Sequence, residues 1–136
     1  MRKIMLFILA ALPLAVLYIN TAPASKDIQQ EITTAITNAN NAKKTKYVKQ
    51  VHLYLHHVVN CLVGTRSADF DANAGDPCIG AGQGAINDYT GGEFNKLLLT
   101  RALQDAKYGL ISNNIQIARN AADLSKKDLQ DARRAL

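Results

Sequence analysis

Seven of the eight glycines in this chain fall between residues 64 and 92, and this clustering constrains the fold more than any other feature. Glycine is unfavourable inside helices and strands, so the segment divides the chain into two parts. On both sides of it apolar residues recur at intervals of three and four, the spacing of an amphipathic helix, and residues 25–136 show no sustained strand alternation. The sequence therefore predicts an all-α protein in which one long loop joins two helical regions.

Each helical region is predicted to contain two helices. The polar run KKTK at residues 43–46 separates the first helix from the second, and Gly64 ends the second, as glycine often does just past a helix. The third helix is predicted to begin at Glu93, and a turn at residues 112–114 precedes the last helix. Short connections make each pair an antiparallel hairpin, so we predict an antiparallel four-helix bundle with a long loop between its second and third helices. Many core positions are alanine, which favours a thin core and makes a homodimer a possible way to bury more surface.

A targeting segment is expected at the N-terminus. Two basic residues precede an apolar run at residues 4–19, and Ala22 and Ala24 occupy the small-residue positions that a signal peptidase needs. Cleavage after Ala24 would separate a signal peptide, residues 1–24, from a bundle domain, residues 25–136. The alternative is an uncleaved anchor, but a membrane span needs about 20 apolar residues, and this run is shorter and contains a proline. We therefore expect a periplasmic or secreted protein with no membrane partner after cleavage.

The charge balance gives little support to a nucleic-acid partner. Removal of residues 1–24 would take away two cations and no acid, which leaves 14 basic and 11 acidic residues and lowers the net charge from +5 to +3. Over the chain as a whole, acids are interspersed among these cations, and this pattern does not favour nucleic-acid binding.

Cys61 and Cys78 are the only cysteines in the chain. Export to an oxidising compartment makes a disulfide between them the expected state, and closure of a loop of this size stabilises the fold by about 3 kcal/mol in the chain-entropy model. The bond would hold the long loop against the end of the second helix. A pair of thiolate metal ligands is the alternative.

All three histidines lie on the second predicted helix, within the stretch HLYLHHVVNCLVG at residues 52–64. His52 and His56 are one turn apart on the same side of the apolar seam, a spacing that lets two imidazoles bind one cation. His57, a further candidate ligand, lies on the side to which the stapled loop must come. The alternative to a metal site is a set of partly exposed histidines, each hydrogen-bonded to a neighbour.

A complete metal site needs a third ligand from outside this helix. Imidazole and carboxylate together suit zinc, copper(II) or nickel, and the absence of methionine from residues 25–136 disfavours a thioether copper(I) site. The candidate carboxylates from the loop are Asp69, Asp71, Asp76 and Asp88, and those from helices are Glu31 and Glu93.

Motifs for other chemistries are incomplete. Residues 69–76 resemble the start of a calcium loop, but Gly75 comes one position late and Gly80 stands where the closing glutamate belongs. The glycine-rich run at residues 80–84 lacks the other residues of a nucleotide-binding loop, and no CxxCH, HExxH or nucleophile elbow is present. We therefore expect no haem, no nucleotide and no enzymatic activity.

The alanine-rich helices that follow the signal peptide, with the rhythm seen at residues 35–42 and 118–122, are similar to the small periplasmic metal-binding bundle proteins called SmbP-like. That resemblance implies a periplasmic role in binding a divalent metal or copper. It covers the helices but not the loop, and those proteins repeat histidines along several helices. The leading hypothesis is a transition-metal site at His52 and His56; the alternative is a structural or interaction protein of the cell envelope in which the HHVVNC segment anchors the loop.

Overall fold

The computed structural model describes residues 26–136, and within that range the chain forms five α-helices and no strand. The predicted all-α class is thus confirmed. The predicted signal peptide and its cleavage position lie outside the described residues. The helices are α1, Lys26–Lys44; α2, Val48–Val63; α3, Ala85–Asp88; α4, Glu93–Leu110; and α5, Ile115–Arg134.

The four longer helices begin and end close to the predicted positions, whereas α3 lies inside the segment predicted to be entirely loop. Four residues are too few to show a helical period in the sequence. Two contacts hold this short helix: the Ala85 side chain is buried, and Asn87 Nδ2 donates to the Val63 carbonyl at the end of α2 at 2.8 Å.

Local signals in the sequence account for the helix ends. The Asn114 side chain accepts hydrogen bonds from the first free N–H groups of α5, those of Gln116 and Ile117. Gly64, with φ of +69°, follows α2 and donates its N–H to the Asn60 carbonyl. Asp27 in the first turn of α1 and Lys44 in its last turn complement the helix dipole.

The core consists of aliphatic side chains and many alanines, so the helices approach closely. At Gly109 a Cβ atom would lie only 2.6 Å from Leu55 Cδ1 and 3.0 Å from Ala121 Cβ, which places α4 against both α2 and α5. Ser125 on α5 is buried and donates its hydroxyl to the Ala102 carbonyl at 2.8 Å. Small residues at these positions therefore set the spacing between the helices.

Each of the four longer helices packs mainly against two others: α1 and α4 each contact both α2 and α5. Side-chain contacts fix the register. His57 on α2 meets Asn38 on α1, and Lys43 at the end of α1 meets Asp123 near the middle of α5. Within residues 26–136 no helix combines the length and the hydropathy that crossing a membrane requires.

The long loop is fastened to the end of α2 in two places. The predicted disulfide between Cys61 and Cys78 is confirmed, with both residues buried and their Cα atoms 5.3 Å apart. Further along, the backbone at Gly64 crosses the backbone at Gly84 so closely that a Cβ atom on either residue would overlap backbone atoms of the other segment. Both residues have positive φ, so glycine is required at this crossing for two reasons.

Candidate functional site

The polar side chains of the second half of α2 face the loop. His57 is the clearest case, because both of its ring nitrogens contact protein oxygens. Its Nε2 donates to the Ala74 carbonyl at 2.7 Å, and its Nδ1 lies 3.0 Å from Asn38 Oδ1 on α1. The Asn38 amide is itself oriented by a hydrogen bond from its Nδ2 to the Thr34 carbonyl. His57 therefore links the loop, α2 and α1, and neither nitrogen is free to bind a metal ion in this arrangement.

Asn60, one turn further along α2, also holds the loop, through three hydrogen bonds to its backbone. The residue is 1% exposed, and its Nδ2 donates to the carbonyls of Asp71 and Gly75 at 2.9 and 2.7 Å. Its Oδ1 accepts the Asp71 N–H at 2.9 Å. Sequence reasoning did not single out Asn60, although an amide within the apolar run VVNCLV was a usable signal, since a buried amide requires partners.

His56 is the one histidine that contacts a carboxylate predicted as a metal ligand. Its Nδ1 lies 3.3 Å from Asp71 Oδ2, and the two side chains are 34% and 30% exposed. The other carboxylate oxygen of Asp71 accepts the N–H of Asn73 within the loop. The structure thus brings together one imidazole and one carboxylate, both partly open to solvent.

His52 contacts a different part of the protein. Its Nε2 donates to the Ser112 carbonyl at 2.9 Å, in the turn between α4 and α5. Two of the other candidate ligands from the loop have partners of their own: Asp69 pairs with Lys107 at 2.7 Å, and Asp76 accepts the N–H of Cys78 at 2.9 Å. No group of three His, Cys, Asp or Glu side chains in the described part of the chain is placed to hold a metal ion.

Glu31 on α1 is an unusual buried acid close to the second half of the loop. The residue is 1% exposed, and its Oε1 accepts the Gly84 N–H at 2.8 Å. Its Oε2 is buried and has no hydrogen-bond partner within residues 26–136. Burial, with a smaller contribution from the nearby charge of Asp88, raises the pKa of Glu31 to about 7, because a carboxylate loses its hydration in such a site.

Asp88, at the end of α3, lies beside Glu31. Asp88 Oδ2 accepts the Gln83 N–H at 2.6 Å, and both this oxygen and Glu31 Oε1 would contact a Cβ on Gly82. Two carboxyl groups thus hold consecutive backbone N–H groups of the loop. From the sequence, Glu31 and Asp88 were candidates only as metal ligands, and nothing in their spacing along the chain indicated that they would meet.

An open cleft of about 480 Å³ lies between the end of α2, the loop and α4. Its lining contains one hydroxyl, that of Ser67, which accepts the Asp69 N–H. No histidine or cysteine lines it, and the one carboxylate of the lining, that of Asp69, pairs with Lys107 at 2.7 Å. The lining residues are Val63, Arg66, Ser67, Asp69, Gln83, Ile86, Asn87 and Leu103.

Comparison with known proteins gives no family for this chain: no family model matches it, and neither does any curated protein or any solved structure.

Proposed function

We propose that this protein is a non-catalytic helical protein of the cell envelope, in which the histidine-rich part of α2 holds a long loop in one conformation for contact with a partner. The observation that carries the proposal is the occupation of both His57 ring nitrogens by protein oxygens, one from the loop and one from α1. Asn60 supports it through three hydrogen bonds to the loop backbone. Side chains that satisfy loop backbone groups in this way act as structural anchors.

The proposal includes an antiparallel four-helix arrangement of α1, α2, α4 and α5. Contacts between opposite ends of neighbouring helices support it. Asn95, near the start of α4, donates to the Ala135 carbonyl just after α5, and His52, near the start of α2, contacts Ser112 just after α4.

The Cys61–Cys78 disulfide supports an exported location, because such bonds persist in oxidising compartments. The pairing of Asp69, the carboxylate in the cleft, with Lys107 supports a non-catalytic role.

A second candidate function is the binding of a divalent transition metal at His56 and Asp71, and the 3.3 Å separation of their nitrogen and oxygen atoms favours it. Imidazole and carboxylate are suitable ligands for zinc or copper(II), and the resemblance to small periplasmic metal-binding bundle proteins is consistent with this role. Two protein ligands leave the coordination shell to be completed by water, which corresponds to weak binding.

Equilibrium dialysis of the full chain against zinc and copper(II) separates the two candidates. The variants are the double substitution His52→Ala with His56→Ala, and the single substitution Asp71→Asn. If the histidines are anchors, the wild-type protein and both variants bind the metals equally weakly. Stoichiometric binding that disappears in both variants would instead establish the metal function.

A second measurement tests the anchor role directly. His57→Ala removes the imidazole that contacts the Ala74 carbonyl and Asn38 Oδ1, which costs about 1–3 kcal/mol. We expect faster amide hydrogen exchange at residues 71–75 in this variant. His52→Ala serves as the matched control, because it removes an α2 histidine that contacts the Ser112 carbonyl and not the loop. Unchanged exchange in His57→Ala would contradict the anchor role.

A further inference from the structure

The turn between α1 and α2 and the turn between α4 and α5 lie at the same end of the protein. Arg119 Nε, in the second turn of α5, donates to the Lys43 carbonyl at 2.8 Å. On the other side, His52 contacts the carbonyl of Ser112. Residues 43–49 and 107–119 therefore form one surface, which we call the basic end.

The basic end contains six cations and no carboxylate, since neither segment includes an Asp or a Glu. Two of the cations are paired with acids from outside it: Lys43 with Asp123 at 2.8 Å, and Lys107 with Asp69 at 2.7 Å. Hydrogen bonds from Lys43, and then Lys126, hold the pKa of Asp123 well below its usual range. The lysines of this end that form no ion pair with a described residue are Lys44, Lys46 and Lys49.

Exposed apolar side chains lie beside these lysines. Tyr47, at the start of α2, is 68% exposed, and Ile111, at the end of α4, is 80% exposed. Tyr108 and Ile117 are also exposed on the same segments. Lysine beside tyrosine and aliphatic residues is the composition of protein surfaces that bind a membrane interface. A nucleic acid would be contacted through its phosphates by the lysines, but it offers no apolar environment for Ile111.

The acidic groups that surround Glu31 lie at the opposite end. The charges of Asp88, Asp27 and Asp76 all act on the Glu31 carboxyl, and Asp27 precedes Lys44 by about 25 Å along α1 at the helical rise per residue. The opposite end holds exposed cations as well, such as Lys96 and Arg133, so the basic end differs from it in having no carboxylate in its two segments, and a negatively charged surface attracts the basic end more strongly.

We propose that the basic end binds the surface of an anionic lipid bilayer, with Lys44, Lys46 and Lys49 against the lipid headgroups and Tyr47 and Ile111 in the interface. This inference rests on the proposed envelope location in one respect: the protein must be in a compartment where it can contact a bilayer. The sequence alone predicted no membrane partner for residues 25–136. Each segment of the basic end is short, and the two segments are far apart in the sequence. The sequence alone therefore does not show that they form one surface.

Co-sedimentation of the full chain with vesicles tests the proposal. The vesicles consist of phosphatidylcholine with or without phosphatidylglycerol. Residues 1–24, which include the apolar run and the cations Arg2 and Lys3, are the same in every variant, so the comparison between variants measures the contribution of the basic end. Each lysine near an anionic surface strengthens binding about five-fold. Replacement of Lys44, Lys46 and Lys49 with Gln is therefore expected to weaken binding to the anionic vesicles by about 100-fold.

The matched control replaces three exposed cations outside the basic end with Gln, those at Arg66, Lys96 and Arg133, and so makes the same change in net charge. We expect it to weaken binding by about five-fold or less. Equal losses in the two triple variants would overturn the proposal, because net charge alone would then explain binding. Equal binding of the wild-type protein to both kinds of vesicle would overturn it as well.

A further variant and probe separate the bilayer from a nucleic acid. Ile111→Ser removes an exposed apolar side chain without a change in charge, and it is expected to weaken vesicle binding in concentrated salt, where the charges are screened. Binding to a DNA duplex should be insensitive to it. Tight binding of the duplex together with no binding of anionic vesicles would overturn the lipid proposal and identify a nucleic acid as the partner. None of these outcomes depends on metal binding or on the loop, so they test this inference separately from the proposed function.

Discussion

Glu31 should make the stability of this protein depend on pH in an unusual direction. Its carboxyl is buried, one of its oxygens has no partner within residues 26–136, and its pKa is raised to about 7. In the unfolded chain the same group ionises near its ordinary value of 4.5. Between these two values the unfolded state releases a proton that the folded state retains, so the free energy of unfolding falls as the pH rises.

The size of the effect follows from the difference between the two pKa values. One pKa unit corresponds to about 1.4 kcal/mol, so the full loss from Glu31 is about 3 kcal/mol once the pH is well above 7. The contribution is fully present below pH 4.5, declines from there to about pH 7, and then levels off. A loss of this size is a large fraction of the stability of a small domain.

Glu31→Gln tests this reasoning, because glutamine keeps an oxygen to accept the Gly84 N–H but cannot ionise. The assay is urea unfolding of the wild-type protein and the variant at a series of pH values from 5 to 8, with the slope of the transition monitored for each. We expect the wild-type protein to lose about 2–3 kcal/mol relative to the variant across this range. Glu93→Gln, which removes an exposed carboxyl from the start of α4, is the control and should follow the wild-type curve.

The test compares how the free energy of unfolding changes with pH, not its value at one pH. It is therefore independent of any constant cost that the glutamine introduces. Other acids with raised pKa values, such as Asp105 and Asp128, are present in both proteins, so their contributions cancel. Parallel curves for the wild-type protein and Glu31→Gln would refute the argument, since they would mean that the Glu31 carboxyl ionises equally easily in the folded and unfolded chains.

Three further predictions concern the attachment of the loop. Gly64→Ala should cost more than about 3 kcal/mol, whereas Gly80→Ala, which also has positive φ but has no atom within 4 Å of the new Cβ, should cost about 1 kcal/mol in the same urea assay. Asn60→Ala removes three hydrogen bonds to the loop and should cost about 2–4 kcal/mol, with faster hydrogen exchange of the loop amides as the specific readout. Replacement of Cys61 and Cys78 by serine should cost about 3 kcal/mol, and mass spectrometry of the wild-type protein after thiol alkylation should find neither cysteine modified.

The helices could be predicted because their signals are local. The repeat of Ile28, Ile32, Ala35 and Ala39 at intervals of three and four corresponds to side chains that are all buried, and the cap at Asn114 lies next to the helix it begins. The short helix α3 could not be predicted, because its stability comes from Asn87 bonding to the distant Val63 carbonyl. A four-residue segment carries too little pattern to reveal such a contact.

The loop and its anchors were only partly predictable. The pairing of Cys61 with Cys78 followed from the presence of two cysteines in a chain expected to be exported. The hydrogen bonds of Asn60 and the burial of Glu31 depend on where the loop folds back, which no local pattern encodes. The same limit applies to the basic end, whose two segments each appear as an ordinary polar turn until the fold places them side by side.

The concentration of polar chemistry on one face of α2 has a physical cause in the length of the loop. A loop of this size must satisfy many backbone N–H and C=O groups, and it cannot do so through helix or sheet hydrogen bonds. Where it covers α2, the facing side chains must therefore be donors and acceptors, as His57 and Asn60 are. Where the loop covers α1, the buried carboxyl of Glu31 accepts the Gly84 N–H. Polar side chains are consequently expected where a long loop crosses a helix, and histidines among them indicate a metal site only when an imidazole also has a nitrogen left to bind the ion.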